Sequence, residues 1–250
     1  MKQRKGKDQI MISSRDNNRI KNVVRLIESA RERKKQSLIV LEGERLVKEA
    51  SEIEELYYTE DYILEEIIKK SKKSFLVSKE VFKKMSDTVS PQGVIALVKR
   101  PEKITELNKN GKYIAFENVQ DPGNLGTAAR TAEALGIDGL IINGVDVFSP
   151  KAIRASMGAV LRIPIIEPQN ILEYIKNANM RIVGTVCKEG KSIKDFTFKN
   201  DIVLIGNEAN GLTANAISIC DEIVTIKMNG KAESLNAAAA SSIICWEMTK

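Results

Sequence analysis

The chain has 250 residues, of which 43% are hydrophobic, carries a formal net charge of +6 and contains no histidine. That size and balance describe one or two ordinary soluble domains, and no apolar run approaches the roughly 18 residues a membrane span needs. Without imidazole the commonest general base and the Ser-His and Cys-His nucleophile pairs drop out; three isolated cysteines, Cys187, Cys220 and Cys245, give no zinc ligand set, so no metal is expected.

The charge is uneven. Residues 1–35 hold 12 Lys/Arg and 4 Asp/Glu, a balance of +8 that leaves −2 for the remainder. A basic leader suits a polyanion such as RNA, and a solvated tail is an equally ordinary reading. Aromatics at 5% argue against a stacking platform for single-stranded bases. The basic start is followed only by "QIMI", too short for a signal-peptide core, which makes the cytoplasm the expected compartment.

In chain order, "NNRIKNVVRLIESARERKKQ" places Ile20, Val23, Val24 and Ile27 at helical spacing, with Asn17 or Asn18 as cap. Then strands "LIVLEG", "ELYYT", "SFLVS" and "GVIALVK" alternate with helices "ERLVKEA", "YILEEIIKKS" and "KEVFKKMS", which predicts a small α/β domain. The polar segment 100–112, with Pro101 and Gly111, separates it from a second α/β series. There the strands are "YIAFENV", "GLIING", "RIPIIE", "RIVGTVC", "DIVLIGNE" and "EIVTIKM". The helices are "GNLGTAARTAEAL", "PKAIRASMGAVL", "NILEYIKNA", "TANAISIC" and "SLNAAAASSIICWEM". Such apolar strands read as buried and parallel, covered by helices on both faces.

Ligands of open parallel sheets bind beyond the carboxyl ends of strands, and three loops there are unusual. In "ENVQDPGNLGTAAR", Pro122 and Gly123 make a turn, Asn124 is placed to cap the helix, and Gly126 lets another backbone approach. Leu125, Ala128, Ala129, Ala132 and Leu135 form the inward stripe, leaving Arg130 on the flank for a phosphate or, less specifically, a surface carboxylate. In "VLIGNEANGLT", Gly206 and Gly211 bracket Glu208 at a strand end, a binding-loop signal, with an ordinary glycine turn and a solvated carboxylate as the alternative for the loop taken alone. In "VTIKMNGKAESLNAAAASSIICWEM", a turn at Gly230 leads to Ser234, Leu235 and Asn236 at a predicted helix start, then to four alanines that allow close packing.

As a set, "NVQDPGNLGTAARTA", "VLIGNEANGLT" and "IKMNGKAESLNAAAA" resemble the three motifs of the SpoU-type members of the SPOUT class, S-adenosylmethionine-dependent RNA ribose 2′-O-methyltransferases. "IVLEGERLVKEA" and "SPQGVIALVKR" resemble the L30e-like substrate-binding domain of the ribosomal-RNA members. One departure stands out: Ile226, Lys227 and Met228 occupy the place of the family's Ile-Pro-Met, a change that a contact made by backbone tolerates.

The resemblance implies an α/β fold with a basic leader at 1–35, an L30e-like RNA-binding domain at 36–100, a linker at 101–112 and a methyltransferase domain at 113–250. That last domain is expected to be a parallel sheet whose C-terminal segment threads a trefoil knot, an exception to ordinary topology rules. It implies S-adenosylmethionine at Gly206, Ile226, Met228 and Leu235, and a catalytic set of Asn124, Arg130, Glu208, Ser234 and Asn236 completed across a homodimer. The first domain favours ribosomal RNA, 23S in particular; a transfer-RNA enzyme, an RNA-binding member without catalysis and an antibiotic-resistance methyltransferase are the alternatives.

Overall fold

The computed structural model describes residues 11–62, 65–102 and 104–250, which divide into two compact units. One runs to Pro101 and includes Phe148–Pro150; the other comprises Glu102–Val147 and Lys151–Lys250. No helix among the described residues is long and apolar enough to cross a membrane.

The first unit contains α1 (Asn18–Glu28), α2 (Ala30–Gln36), β1 (Leu38–Glu42), α3 (Glu44–Glu49), β2 (Ile53–Tyr58), α4 (Glu65–Lys70), β3 (Ser71–Leu76), α5 (Lys79–Met85) and β4 (Val94–Lys99). Its sheet has the order β1-β4-β2-β3, antiparallel across β4 and parallel between β2 and β3. The single long helix expected over the basic segment is two helices. Ser29, extended at φ −122° and ψ 112°, ends α1, and its hydroxyl caps α2 by accepting from Glu32 N–H. The buried stripe of α1 is Ile20, Val23 and Leu26, packed with Val81, Phe82 and Met85 of α5 and with Tyr57, Ile95 and Leu97 of the sheet, while Val24 and Ile27, expected in it, are only partly buried. The start of the helix expected at "YIL" lies outside the described residues.

The second unit contains β5 (Tyr113–Phe116), α6 (Pro122–Ala134), β6 (Gly139–Ile142), α7 (Pro150–Ala155), β7 (Ile165–Ile166), α8 (Ile171–Asn177), β8 (Arg181–Val186), β9 (Lys191–Ser192), β10 (Asp201–Ile205), α9 (Ala214–Ser218), β11 (Glu222–Thr225) and α10 (Ala237–Met248). The sheet order is β7-β6-β5-β10-β8-β11-β9, with every pairing parallel. Tyr113, Ala115, Ile141, Ile182, Ile202 and Leu204 turn one face towards α8 and α9. Residues of the opposite parity, among them Ile114, Phe116, Val203 and Ile205, are also buried, and α6 and α10 pack together on that side. Arg181 anchors the amino end of the sheet through paired bonds, both 2.7 Å, to the fully buried Asp201.

Several elements are shorter than the sequence predicts. β10 stops at Ile205 and β11 at Thr225, while the helix expected from Pro150 breaks where Met157 and Gly158 take positive φ. β9, only two residues long, gave no periodic signal.

Candidate active site

β5 and β10 are neighbours, so the loops after them emerge side by side. Glu117, the residue after β5, is only 3% exposed. Its carboxylate accepts from the Thr213 N–H at 2.9 Å and the Thr213 hydroxyl at 2.6 Å, while its own N–H donates to Ile205 O at 2.8 Å. A buried carboxylate needs such partners, and here they clamp the exit of the second loop to the root of the first. Sequence reasoning missed Glu117; the available signal was a charge set directly behind the four apolar residues of "YIAF".

Asn124 does not cap α6. Asp121 does, its carboxylate accepting from Gly123 N–H at 2.7 Å, because Pro122 occupies the first helical position and starts the helix earlier than expected. The ion pair from Lys151, at 2.6 Å, and that N–H hold the Asp121 carboxyl below the usual range. Freed from capping, the Asn124 side chain points to the second loop and donates to Glu208 Oε1 at 2.8 Å. Gly126 has no room for a side chain: a Cβ would stand 2.4 Å from Ala152 O and 2.8 Å from Ala155 Cβ, so the expected close approach is that of α7.

The second loop closes on itself. Asn207 and Gly211 exchange backbone bonds of 3.1 and 2.9 Å, and Asn207 Oδ1 accepts from Ala209 and Asn210 N–H. Asn207 also donates to Asn118 O at 2.9 Å. Gly206 is required by this closure, since a Cβ there would meet Gly211 and Leu212 backbone within 2.5 Å. Glu208 is thereby held at the tip with Asn124.

The third loop has a different character. From Lys227 to Leu235 no backbone group enters a hydrogen bond among the described residues, although Ile226, Met228 and Leu235 are half-buried. Thr225 Oγ1, at the start of this stretch, is buried without a partner among the described residues. Residues 227 and 229–234 face solvent, while the open backbone groups at half-buried Met228 and Leu235 are of the kind that would hold an adenine edge. The helix expected from Ser234 begins at Ala237; Asn236 caps it, accepting from Ala239 N–H at 2.7 Å, and Ser234 stays exposed outside it. Ala237, Ala238 and Ser241 are buried where α10 packs on α6, and Thr131 and Ser242 join the two helices through hydroxyls 3.1 Å apart. To reach α6 from the end of β11, the third loop must cross the carboxyl ends of β8 and β10.

Arg130 is not part of the Asn124–Glu208 group. Six helical residues separate it from Asn124, about 9 Å along the axis and about 120° around it. It is exposed and makes no hydrogen bond or ion pair among the described residues, which removes the reading of a surface carboxylate partner.

Residues 111–246 match the SpoU rRNA Methylase family, and residues 17–96 match the MRM3-like substrate binding domain. A 23S rRNA (guanosine(2553)-2′-O)-methyltransferase of Bacillus subtilis is 29% identical over 247 residues, covering 95% of this chain and 98% of that protein. A structure of an RNA 2′-O ribose methyltransferase superposes with a TM-score of 0.81 at 28% identity over 96% of this chain and 98% of its own. An AdoMet-bound rRNA methyltransferase from Sinorhizobium meliloti gives 0.84 at 26% identity, over 96% and 97%. With three polar loops gathered at the carboxyl end of a parallel sheet and a family match across that whole unit, the chain belongs to the SpoU rRNA Methylase family.

Proposed function

We infer that this protein transfers a methyl group from S-adenosylmethionine to a ribose 2′-hydroxyl of ribosomal RNA, with 23S rRNA as the substrate. The observation that carries this reading is the third loop, whose unpaired backbone crosses towards the helix bearing Asn124 and Arg130. The activity of the Bacillus subtilis relative and the match to a substrate-binding domain support ribosomal RNA. Such a substrate places the work in the cytoplasm. We assign residues 36–100 to RNA binding, 1–35 to a basic leader, 101–112 to a linker and 113–250 to methyl transfer, with the stretch from β11 to α10 forming the knot.

S-adenosylmethionine supplies, when bound, a sulfonium methyl whose departure leaves a neutral thioether. Gly206, Ile226, Met228 and Leu235 would hold it by backbone, and the site's main contribution would be to align the ribose oxygen with the methyl. Asn124 and Glu208 present a donor and an acceptor fixed by their mutual bond. Arg130 holds an RNA phosphate in two-point contact; a guanidinium stays protonated and cannot be the base. The hydroxyl proton leaves to that phosphate, directly or through Ser234 or Glu208.

Because Arg130 and Asn124 face different ways on one helix, a complete site needs two copies, with Arg130 of one serving Asn124 of the other. The outer face of α10 suits such an interface, with Ile243 36% and Trp246 56% exposed in line with Ala239.

The test is transfer of labelled methyl to unmodified ribosomal RNA, with transfer RNA alongside, by wild type and Arg130→Ala. Label on ribosomal RNA in an alkali-resistant dinucleotide, lost in the variant, is the expected result. Label on transfer RNA alone would overturn the substrate, and label in an alkali-labile position would overturn the ribose.

A further inference from the structure

The first unit carries a groove that the methyl-transfer site does not use. It lies where α1, the end of α2, β2, β3 and β4 meet at one end of the four-stranded sheet, with a volume of about 630 Å³. Lys72, Lys73, Lys99 and Arg100 line it, against two carboxylates, Glu54 and Glu55. Both carboxylates are already engaged: Glu54 lies 2.6 Å from Lys72 and Glu55 2.6 Å from Arg19. Lys73 makes no ion pair among the described residues, and Lys99 reaches Glu54 only at 4.0 Å. The exposed Lys34 and Lys35, last of the basic leader's cations, run directly into Gln36 on the wall.

Leu38 and Leu97 contribute apolar lining, and the polar groups between them are ordered. Asn22 and Gln36 exchange amide bonds of 3.1 and 2.9 Å, and Gln36 donates a second bond to Glu32 at 3.1 Å, so the pair is fixed between the two helices. Asn22 keeps one amide hydrogen and one lone pair beyond that exchange; they point away from each other, so a base edge meets one of them in a single bond. Ser37 beside them takes φ 52°, the left-handed region a side chain rarely adopts, and its carbonyl accepts from Arg100 N–H at 2.9 Å.

We propose that this groove receives one unstacked nucleotide of the RNA substrate, with Lys73 and Lys99 on flanking phosphates and the Asn22 amide on the base edge. Cations at a rim and a fixed amide at the floor match what RNA loops offer, since their bases are splayed out and read on hydrogen-bonding edges. The volume falls within the range of pockets that bury a ligand of nucleotide size. Its apolar lining is limited to Leu38 and the buried Leu97, a narrow anchor for a peptide. The groove thus gives the first unit a way to choose a site, and the proposal rests on the ribosomal-RNA reading above.

Filter binding of labelled unmodified ribosomal RNA, run beside methyl transfer, tests it. The double substitution Lys73→Ala with Lys99→Ala is expected to raise Kd and KM about tenfold, to lower the slope of log Kd against log salt by about 1 to 2, and to leave kcat unchanged. Asn22→Ala should raise Kd several-fold without altering the salt slope. Lys83→Ala with Lys84→Ala, which removes the same charge from the exposed side of α5, is expected to change neither. Equal losses in the two lysine pairs would show diffuse attraction and overturn the groove, as would an unchanged Kd in the first pair. Wild type that binds the RNA but methylates none of it would instead overturn the functional reading, while the binding comparison still decides the groove.

Discussion

Glu117 shows how one side chain can set a site it does not line. Its two bonds to Thr213 keep the second loop in register with the first, and only in that register do Asn124 and Glu208 meet. Glu117→Ala strands a buried N–H and hydroxyl, so urea unfolding should show a loss of about 1 to 3 kcal/mol. Arg130 makes the opposite kind of prediction. With no partner among the described residues it contributes nothing visible to the fold, so Arg130→Lys should melt like wild type while kcat falls about tenfold through loss of the two-point contact. Retention of most turnover would sink the clamp. Glu208→Gln keeps an oxygen for Asn124, and turnover within a few-fold of wild type is expected when the phosphate takes the proton. A fall beyond about a hundredfold would move that role to Glu208. Residue types at these positions were legible in the sequence, but Asn124 was misread as a cap because its geometry depends on Pro122 and Asp121 starting the helix earlier.

At the scale of elements, α6 is held on three sides: by its own cap, by α7 against Gly126 and by α10 through Thr131 and Ser242. Gly126→Ala would drive a Cβ into Ala152 O, a backbone atom that cannot rotate away. The expected cost is about 1 to 3 kcal/mol by denaturant unfolding, reversing the gain that alanine normally brings to a helix interior. Asn236→Ala removes the cap of α10 and should cost about 1 kcal/mol. If S-adenosylmethionine binding, followed by calorimetry, weakens in the same variant, the third loop is anchored by that cap. Helices and strands with apolar periodicity were legible; their ends were not. β10 and β11 both stop short of the predicted strand where the polar loops begin, since periodicity reports burial and says nothing of where a ladder loses its partner. Likewise Ser29 divides one predicted helix into two, because its hydroxyl offers the backbone a bond that competes with the helix.

For the whole molecule, the outer stripe of α10 suits the interface proposed between two copies. In the two-copy arrangement proposed above, Trp246→Glu should yield a monomer by sedimentation and abolish methyl transfer, since each site would lose the other copy's Arg130. An active monomer would refute the shared site. Cys187 is exposed, whereas burial pushes the Cys220 thiol up to about 11 and the Cys245 thiol up to about 12. Below those values both remain protonated and unreactive, so iodoacetamide at pH 8 should label Cys187 in the native protein and the other two only after unfolding. What the sequence by itself determined was local and compositional. Alternating apolar runs required two α/β series, the absence of histidine excluded imidazole chemistry, and three polar motifs marked the strand ends that belong to the methylase family. Tertiary structure alone decided the pairing of distant groups: Glu117 with Thr213, Asn124 with Glu208, α10 on α6, and the basic groove at the end of the small sheet. These depend on strand order and on which helix lies beside which, and neither leaves a periodic trace in the chain because their partners lie tens of residues apart.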